Sequence, residues 1–387
     1  MRVVQVNPSF DAGLTDPEAL LAHYDTLVGW SEALLEAGAS GATVVQAFGR
    51  DVDLERNGVQ YRFRADRAKP SPRRWARLRR LIAAVAEAVP DVAHVNGLVF
   101  PRPTALLRSV LAPAAALVVQ DHSGSTPARV LGPAPRLRGL VWRAMLGGVD
   151  AFLFTATSQA RSWQEAGLIG PEQAVHAIVE GSRRLRGLPR AEARRITGVA
   201  GSPALLWVGR LDPNKDPLTV LAGFEGAALA GASLTLIHAS DELLPEVGRR
   251  LAASPFLRER VRLLGRVPYE QMAAFFSAAD FFVLGSHKEG SGYSLIEALG
   301  CGAVPVVTDI PSFRAITGGS VGALWAPDRP ETLAAALRRL AAEDDWERLR
   351  ADARARFEGH LSWRAIGRRA MEIYREVVDR RRARTFR

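Results

Sequence analysis

The sequence predicts an α/β protein with two Rossmann-like domains, each built on a doubly wound parallel sheet. Three observations carry this prediction. Short β-rich runs alternate with longer helical patterns along most of the 387 residues. The alternation breaks once, in an arginine-rich stretch around residues 181–203, and then restarts. The length is also too great for one ordinary core and suits two domains of about 150–200 residues each.

The first half of the chain contains five predicted strands and two long helical patterns. The strands are Val3–Asn7, Ala42–Val45, Val92–Val95, Ala116–Gln120 and Ala151–Thr155. The helical patterns are Pro17–Ala37 and Arg73–Val89. Strands that alternate with helices in this way form a parallel sheet covered by helices on both faces. We therefore predict an N-terminal domain over residues 1–190.

The second half repeats this pattern. The predicted strands are Pro203–Val208, Ser233–His238, Val261–Leu264, Phe281–Leu284 and Val304–Val307. The predicted helices are Pro217–Ala228 and the stretch from Pro330 to Arg382. We therefore predict a second domain over residues 200–360. Because open parallel sheets bind ligands at the carboxyl ends of their strands, we expect a cleft between the two domains.

Composition excludes several classes of protein. The chain is 48% hydrophobic and 24% charged, which is typical of a soluble globular protein. No apolar run approaches the roughly 18–20 residues that span a bilayer, and the N-terminal residues lack the apolar centre of a signal peptide. We therefore expect a cytoplasmic protein. Cys301 is the only cysteine, which excludes an internal disulfide and a cysteine-based zinc cage, and we expect it in the core.

The net charge of +10 is concentrated in the first half, most strongly from Arg62 to Arg80, where nine basic residues accompany one acid. Such an excess attracts phosphates of a lipid headgroup, a nucleic acid or a nucleotide. The helical pattern around Trp75 and the basic run Arg380–Arg382 could form a membrane-surface or nucleic-acid patch. We prefer a solvated helix face, expect no nucleic acid, and keep open a peripheral contact with the anionic inner membrane surface.

The most informative segment follows the strand Phe281–Leu284. Gly290 and Gly292 in its turn let backbone N–H groups approach a ligand, and the start of the next helix supplies about half a positive charge. Glu289 precedes this helix, and Glu297 lies eight positions later in the sequence. We expect Glu297 about two turns into the helix. Carboxylates accept hydrogen bonds from sugar hydroxyls, so both could meet one ligand. On these residues alone, a second interpretation is as good as a ligand site: Glu289 is a charged loop residue and Glu297 is a solvated helix position.

A second segment contains two cations five positions apart, Arg210 and Lys215, after a strand that ends in Gly209. Both are expected at the carboxyl edge of the sheet, where Glu289 also lies. Two cations beside a helix start suit a diphosphate, and each charge-assisted bond contributes about 1.5–3 kcal/mol. The alternative is that the two cations pair with Asp212 and Asp216 in a surface loop.

Together the two segments resemble the family 4 glycosyltransferases, which are retaining enzymes of the GT-B fold. The family's motif of two glutamates separated by seven residues is matched by Glu289 and Glu297. Its Gly-Arg-Leu…Lys motif is matched by residues 209–215. The resemblance covers most of residues 200–380 and, more weakly, the first half. It implies two Rossmann-like domains that face a central cleft, with a C-terminal helix over residues 361–387 that packs back toward the N-terminal domain.

The resemblance also implies roles for individual residues of the donor site. Arg210 and Lys215 would hold the donor diphosphate, with Gly209 before them. Glu297 would bind the ribose hydroxyls. Glu289, together with the backbone of Gly290–Gly292, would hold the sugar and help to stabilise the transition state. Ser291 stands where relatives often have a large aromatic residue, which leaves the identity of the sugar open.

Three further positions are candidates through the resemblance. Val267, after the strand Val261–Leu264, matches a loop whose backbone contacts the base, although ordinary strand-end packing explains it almost as well. His122 follows the strand Ala116–Gln120, where the family commonly has a histidine that faces the donor sugar, and a structural histidine is the alternative. Asn96 is a weaker candidate on the same sheet edge.

The activity implied is transfer with retention of configuration from a UDP- or GDP-type sugar to an acceptor hydroxyl. The acceptor could belong to a glycan, a lipid-linked glycan or a small molecule. No metal and no other cofactor are expected, since the nucleotide-sugar is a co-substrate. Two alternatives stay open: a sugar phosphorylase or nucleotide-sugar epimerase of the same fold, and a non-enzymatic basic protein that binds membranes or nucleic acid.

Overall fold

A computed structural model of the protein describes residues 1–66, 78–122, 124, 126–132, 135–181 and 185–385. The chain divides into two compact units. The first unit consists of Met1–Gly181 together with Trp363–Arg387, and the second unit is Ser182–Ser362. Among the described residues, no helix is both long enough and apolar enough to cross a membrane.

The described residues of the first unit form an eight-stranded sheet of the order β3-β4-β2-β1-β5-β6-β7-β8. Its strands are β1 (Arg2–Asn7), β2 (Gly41–Ala47), β3 (Val52–Arg56), β4 (Val59–Arg64), β5 (Val92–Asn96), β6 (Ala116–Gln120), β7 (Ala151–Phe154) and β8 (Ala174–Ala177). Neighbouring strands are parallel except for the edge hairpin of β3 and β4. The helices before the second unit are α1 (Pro17–His23), α2 (Asp25–Glu36), α3 (Arg79–Glu87), α4 (Pro101–Val110), α5 (Pro127–Leu131), α6 (Pro135–Leu146) and α7 (Arg161–Glu165).

Successive side chains of β1 enter two different hydrophobic clusters, which shows that both faces of this sheet are covered. Val4 and Val6 pack with residues of α3, α4 and α6, whereas Val3 packs with residues of α2 and the C-terminal helix. The continuous apolar strands of this unit therefore belong to a sheet buried on both sides, as parallel sheets are.

The second unit contains a six-stranded sheet of the order β11-β10-β9-β12-β13-β14, and all of its strand pairs are parallel. Its strands are β9 (Ala204–Gly209), β10 (Ser233–His238), β11 (Val261–Leu263), β12 (Phe281–Leu284), β13 (Val304–Thr308) and β14 (Ala323–Trp325). Its helices are α8 (Arg190–Thr197), α9 (Pro217–Ala227), α10 (Leu244–Ala253), α11 (Pro255–Arg260), α12 (Tyr269–Ala278), α13 (Tyr293–Gly300), α14 (Pro311–Thr317), α15 (Pro330–Ala341) and α16 (Trp346–Arg356). The strand order reverses between β9 and β12, and ligands of open α/β sheets bind at such a point.

The last helix, α17 (Trp363–Thr385), is part of the first unit. It packs closely against α2. A Cβ added to Gly367 would clash with the Ala33 carbonyl oxygen, and a Cβ added to Gly29 would clash with the Trp363 ring. The Trp30 indole N–H also donates to the Tyr374 hydroxyl at 3.2 Å. The C-terminal helix therefore completes the core of the unit that contains the N-terminus.

The ends of the compact units differ from the predicted division at residues 190 and 200. Helix α8 belongs to the second unit, since Arg190 and Arg194 both pair with the buried carboxylate of Asp280, the latter at 2.7 Å. Asp280 also accepts from the backbone N–H of Ala204 at the start of β9. These bonds attach α8 to the sheet of the second unit.

All ten predicted strands are present, with ends within two residues of the prediction. The prediction missed four strands. Two of them, β3 and β4, form the edge hairpin, in which polar and charged residues interrupt the apolar ones; the other two are β8 and β14. The predicted helix Pro17–Ala37 is interrupted at Tyr24, and the predicted helical stretch from Pro330 to Arg382 is three α-helices. Residues 73–77 of the predicted helix Arg73–Val89 lie outside the described residues.

Cys301 is buried and free, as predicted for a core cysteine. Burial raises the pKa of its thiol to about 11. The thiol is therefore protonated at neutral pH, which argues against a nucleophilic role.

Candidate functional site

The loops that follow β9 and β12 lie side by side in the second unit, at the reversal of strand order. The two strands pair in parallel, with Phe281 beside Leu205 and Phe282 beside Leu206. A Cβ on Gly285, just after β12, would lie 2.8 Å from the Asp216 carbonyl oxygen and 3.1 Å from a Val220 methyl group. Only glycine leaves enough space for the two loops to approach so closely.

Side-chain and backbone bonds then join these loops. Lys215 and Glu289 form an ion pair, and their side chains are only 13% and 12% exposed. The backbone N–H of His287 donates to the Asn214 carbonyl at 2.9 Å, and the Asn214 amide donates to the Lys288 carbonyl at 3.0 Å. The structure thus brings together two predicted site residues that lie 74 positions apart in the sequence.

Arg210 lies in a more open position, with 63% of its side chain exposed, and its guanidinium is 3.1 Å from the Asp212 carboxylate. An ion pair at this exposure contributes little stability. The sequence left open that both cations pair with loop aspartates. The structure contains the pair of Arg210 with Asp212 but not a pair of Lys215 with Asp216. Lys215 pairs with Glu289 instead, and Asp216 caps α9 through the Thr219 N–H at 3.1 Å.

The helix that follows β12 begins at Tyr293, with Gly292 as its N-cap residue in the left-handed conformation (φ 65°). A Cβ there would also lie 2.7 Å from an Ile316 methyl group, so both conformation and space favour glycine. Ser291 is buried beside it. Glu297 is the fifth residue of α13, so the predicted depth of about two turns was wrong by nearly one turn. It lies closer to the helix start, where positive potential is strongest.

The carboxylate of Glu297 accepts a hydrogen bond from the Tyr269 hydroxyl at 2.8 Å. Tyr269 is the first residue of α12 and follows the loop that contains the predicted Val267. In that loop the Gly265 carbonyl accepts from the His238 N–H at 3.1 Å, which joins the ends of β10 and β11. Tyr269 was not predicted as a site residue from the sequence. A phenol directly after Val267 and Pro268, beside a proposed base-contacting loop, was the available signal.

In the first unit, His122 lies at the carboxyl end of β6 between two polar partners. Its Nδ1 is 2.5 Å from an oxygen of Glu180, and its Nε2 is 3.0 Å from the Asn96 side-chain oxygen. Asn96 was a predicted candidate, and the structure does place it beside His122. Glu180 was not predicted, because it follows β8, a strand that was itself not predicted from the sequence. It is buried, with only 3% of the residue exposed.

The surroundings of His122 favour its protonated form. Burial by itself lowers the pKa of the imidazole. The charge of Glu180, the hydrogen bond to the same carboxylate and the charge of Asp121 act in the opposite direction and outweigh burial. The net effect is a raised pKa of His122.

In the described part of the basic stretch Arg62–Arg80, arginines form ion pairs with acidic residues of the same unit. Arg64 pairs with Asp53, and Arg80 pairs with Asp51 at 2.7 Å. Residues 67–77, which include Lys69 and the predicted helix around Trp75, lie outside the described residues. The basic run in α17 is also paired: Arg380, Arg381 and Arg382 each have a carboxylate within 4.0 Å, at Glu376, Asp150 and Asp91 respectively.

Among the described residues, we considered two groups of side chains as metal ligands. Asp51 and Asp53 have the Asp-x-Asp spacing, but Asp53 pairs with Arg64 of β4 and Asp51 pairs with Arg80 of α3. Asp216, His287 and Asp328 have ligand atoms within 4.8 Å of one another, and His287 and Asp328 are exposed. Exposed acidic groups are common without an ion, so we assign no metal to either group.

Part of the chain is similar to known proteins. Residues 202–343 match the family described as Glycosyl transferases group 1, and this segment contains the whole β9–β12 site. D-inositol 3-phosphate glycosyltransferase from Thermobispora bispora is 29% identical over 264 residues, 64% of this chain and 61% of the relative. GDP-mannose:cellobiosyl-diphosphopolyprenol alpha-mannosyltransferase from Xanthomonas oryzae pv. oryzae is 28% identical over 179 residues, 45% of this chain and 47% of the relative. The chain thus matches between about half and three fifths of these relatives' length.

Among solved structures, Alr3699/HepE from Anabaena in complex with UDP superposes with a TM-score of 0.69 at 15% identity. The superposition covers 97% of this chain and 100% of that one. Two parallel-sheet units with C-terminal helices, of which the last returns to the first unit, define a protein of the GT-B fold. Within that class, the chain is similar to glycosyltransferases of the family 4 type, most clearly over residues 202–343.

Proposed function

We propose that the protein transfers a sugar from a UDP- or GDP-type nucleotide-sugar to an acceptor hydroxyl, with retention of anomeric configuration and without a bound metal. The contact between Lys215 and Glu289 carries this proposal. The two residues were assigned separately to the diphosphate and to the sugar, which are adjacent groups of such a donor. Their contact lies at the reversal of strand order, where open α/β sheets bind nucleotides.

The leaving diphosphate would be stabilised by Lys215, Arg210 and the N-terminus of α13. Lys215 is largely buried and held by Glu289, so its ammonium is oriented before a ligand arrives. Arg210 is mostly exposed and has only a weak surface partner in Asp212, so it can turn toward a phosphate at little cost. Fixed cations and dipoles that are aimed at developing charge are usually the largest contribution to catalysis.

Glu297 and Glu289 would bind the rest of the donor. A carboxylate has about four acceptor positions, so Glu297 can accept from ribose hydroxyls in addition to the Tyr269 hydroxyl. Tyr269 orients that carboxylate. Glu289 would contact the sugar with one oxygen while the other holds Lys215. The backbone around Ser291 would lie along the sugar ring, and Val267 would contact the base.

In the proposed reaction the acceptor oxygen forms a bond to the anomeric carbon on the face from which the diphosphate departs. The bond between the anomeric carbon and the phosphate oxygen breaks, and its electron pair stays with the diphosphate. The proton of the acceptor hydroxyl passes to the leaving phosphate. The residues named above stabilise the charge, and His122 is the proposed catalytic residue of the first unit.

The names of the relatives support the donor class but leave the base open. One relative is named for GDP-mannose, and one structural neighbour contains UDP. For the acceptor, the two relatives are named for D-inositol 3-phosphate and for a polyprenol-linked glycan. We therefore propose an acceptor that presents a hydroxyl on a small polar molecule or on a lipid-linked glycan.

The test begins with thermal shifts of the full chain in the presence of nucleoside diphosphates and their sugars. A ligand at 100 times its dissociation constant stabilises the folded state by about 2.7 kcal/mol, which is readily detected. The nucleotide-sugar that binds is then incubated with hydroxyl acceptors, with and without EDTA, and the product linkage is determined by NMR. We expect release of the nucleoside diphosphate, a retained anomeric configuration and no effect of EDTA.

The same incubations separate the alternatives. A phosphorylase would require free phosphate and would not consume the nucleotide-sugar, and an epimerase would convert that donor without an acceptor. No shift with any nucleotide would contradict the proposal. In that case, binding to anionic vesicles or to nucleic acid at low salt would favour a non-enzymatic basic protein. Sedimentation with anionic vesicles also tests the proposed peripheral membrane contact of an active enzyme.

A further inference from the structure

A continuous row of polar side chains crosses the sheet of the first unit from α2 to the segment after β8. Its members are Ser31, Gln5, Asn96, His122 and Glu180. The row begins under α2, crosses β1, β5 and β6, and ends at Glu180. Because each member contacts the next, the donor and acceptor roles at one end determine the roles at the other.

The orientation of Gln5 determines that of Asn96. The amide nitrogen of Gln5 lies 3.2 Å from the Leu27 carbonyl oxygen, which can only accept, and 2.6 Å from the Ser31 hydroxyl. The Gln5 oxygen therefore faces Asn96 and accepts from its amide nitrogen at 3.3 Å. The side-chain oxygen of Asn96 therefore faces His122, and an amide oxygen can only accept a hydrogen bond.

Both ring nitrogens of His122 consequently face acceptors. Nε2 lies 3.0 Å from the Asn96 oxygen and must carry a hydrogen to bond with it. Nδ1 lies 2.5 Å from Glu180, whose ionised carboxylate likewise has no hydrogen to donate. A neutral imidazole has only one N–H, whereas this arrangement requires two.

We propose that Glu180 is a positioning residue that holds His122 as an imidazolium, with Asn96 and Gln5 fixing the orientation of the ring. In the transfer reaction, and on the basis of the function proposed above, His122 then acts as a fixed cation and hydrogen-bond donor. It does not act as the base. This role agrees with the step proposed above, in which the proton of the acceptor hydroxyl passes to the leaving phosphate.

The other ionisable groups near the ring agree with this assignment. Asp121, the residue before His122, also favours the cation. His94 on β5 does not compete for the positive charge, because burial first and the charge of His122 second lower its pKa to about 3. The Nδ1 of His94 is engaged with the Tyr374 hydroxyl at 2.7 Å. Glu180 is thus paired with the imidazole whose pKa is raised, whereas the pKa of His94 is lowered.

The decisive experiment is side-chain NMR of the unliganded full chain labelled with ¹⁵N in histidine. The His122 signals are assigned by their loss in His122→Asn. We expect two protonated ring nitrogens at pH 7 and a titration above that of an ordinary histidine. In Glu180→Gln, which keeps the shape but removes the charge, we expect the titration to move to lower pH. A single neutral tautomer in the parent protein at pH 7 would overturn the assignment, even if the variant failed to fold.

Activity then tests whether the charge matters for transfer. If His122 must be a cation, kcat/KM falls as pH rises through its pKa, and Glu180→Gln moves that fall to lower pH. If His122 were the base, kcat/KM would instead rise with pH through the same pKa. The NMR measurement needs no substrate. If the protein had no transferase activity, the proposed function would be contradicted, but the protonation state of His122 would still have been tested. An imidazolium by NMR with an unshifted activity profile in Glu180→Gln would overturn the positioning role.

Discussion

Lys215, in the loop after β9, and Glu289, in the loop after β12, form an ion pair across the point where the strand order of the second unit reverses. Both side chains are largely buried. Removal of one partner from such a pair leaves an uncompensated charge behind, which costs more than the pair itself contributes. Variants of either residue are therefore best made with uncharged side chains of similar shape and compared with a matched neighbour.

We expect Lys215→Met to lower kcat/KM by roughly 10- to 150-fold, because one charge-assisted bond to the diphosphate contributes about 1.5–3 kcal/mol. The measurement is initial rate against donor concentration. Lys288→Met is the matched control, since Lys288 is an exposed lysine in the β12 loop itself. Unchanged kcat/KM in Lys215→Met would remove Lys215 from the diphosphate site.

Arg210→Ala is expected to lose a similar amount of transition-state stabilisation, about 1.5–3 kcal/mol or roughly 10- to 150-fold in rate constant. Stability should change little, because Arg210 is mostly exposed and its pair with Asp212 is a surface pair. Arg249→Ala serves as the control, since Arg249 is also exposed and also has one acidic partner. Normal turnover with Arg210→Ala would contradict the diphosphate assignment.

Glu297→Gln is expected to weaken binding of the nucleoside diphosphate by about 1.5–3 kcal/mol, the contribution of a hydrogen bond to a charged group. Calorimetric titration with the ribonucleotide and with its 2′- and 3′-deoxy analogues tests the cause. The preference for the ribonucleotide should shrink in the variant. Tyr269→Phe, which removes only the hydroxyl that contacts Glu297, should have a smaller effect of the same kind. An unchanged preference in Glu297→Gln would mean that this carboxylate does not bind the ribose.

Gly285→Ala is expected to destabilise the second unit by about 1–3 kcal/mol, the usual cost of overpacking. The added Cβ would meet the backbone oxygen of Asp216 at 2.8 Å, and a backbone atom cannot turn aside as a side chain can. The midpoint of urea unfolding should fall. Gly248→Ala is the control, because no atom lies within 4 Å of its added Cβ in α10. Equal midpoints for the two variants would show that the β9 and β12 loops separate easily.

Acid is expected to destabilise the first unit through His94, whose pKa burial lowers to about 3 in the folded state. An unfolded chain binds a proton at histidine below about pH 6.5, while folded His94 stays neutral. Its contribution to stability is therefore full above that pH and falls as pH decreases, by up to about 1.4 kcal/mol per unit between about pH 6 and pH 4.

Urea unfolding at stepped pH values measures this dependence. The free energy of unfolding should depend less steeply on pH in His94→Gln than in the parent protein. His23→Gln, at an exposed histidine, is the control and should keep the slope of the parent protein. The parent protein and the two variants have the same carboxylates, so the contribution of carboxylates to acid destabilisation cancels in the comparison. A slope in His94→Gln as steep as in the parent protein would contradict the assignment.

The sequence predicted the apolar strands and the motifs they carry because these depend on local patterns. Strand β12 is an unbroken apolar run followed by glycines, and β6 is a buried run followed by polar residues. Both therefore indicated a parallel strand with polar residues at its carboxyl end. The family resemblance then supplied roles for Arg210 and Glu297. Strand β8 has a histidine, His176, within its apolar residues and was not predicted, so Glu180, which follows it, was missed as well.

What the sequence by itself determined was the kind of fold, the order of its strands along the chain and the set of polar residues at strand ends. Which of these residues touch was decided only by the tertiary structure. Lys215 meets Glu289 rather than Asp216 because β9 and β12 are neighbours in the sheet although two strands separate them in the chain. Glu180 meets His122 for a related reason, since parallel strands bring their carboxyl ends to one edge whatever their distance in sequence.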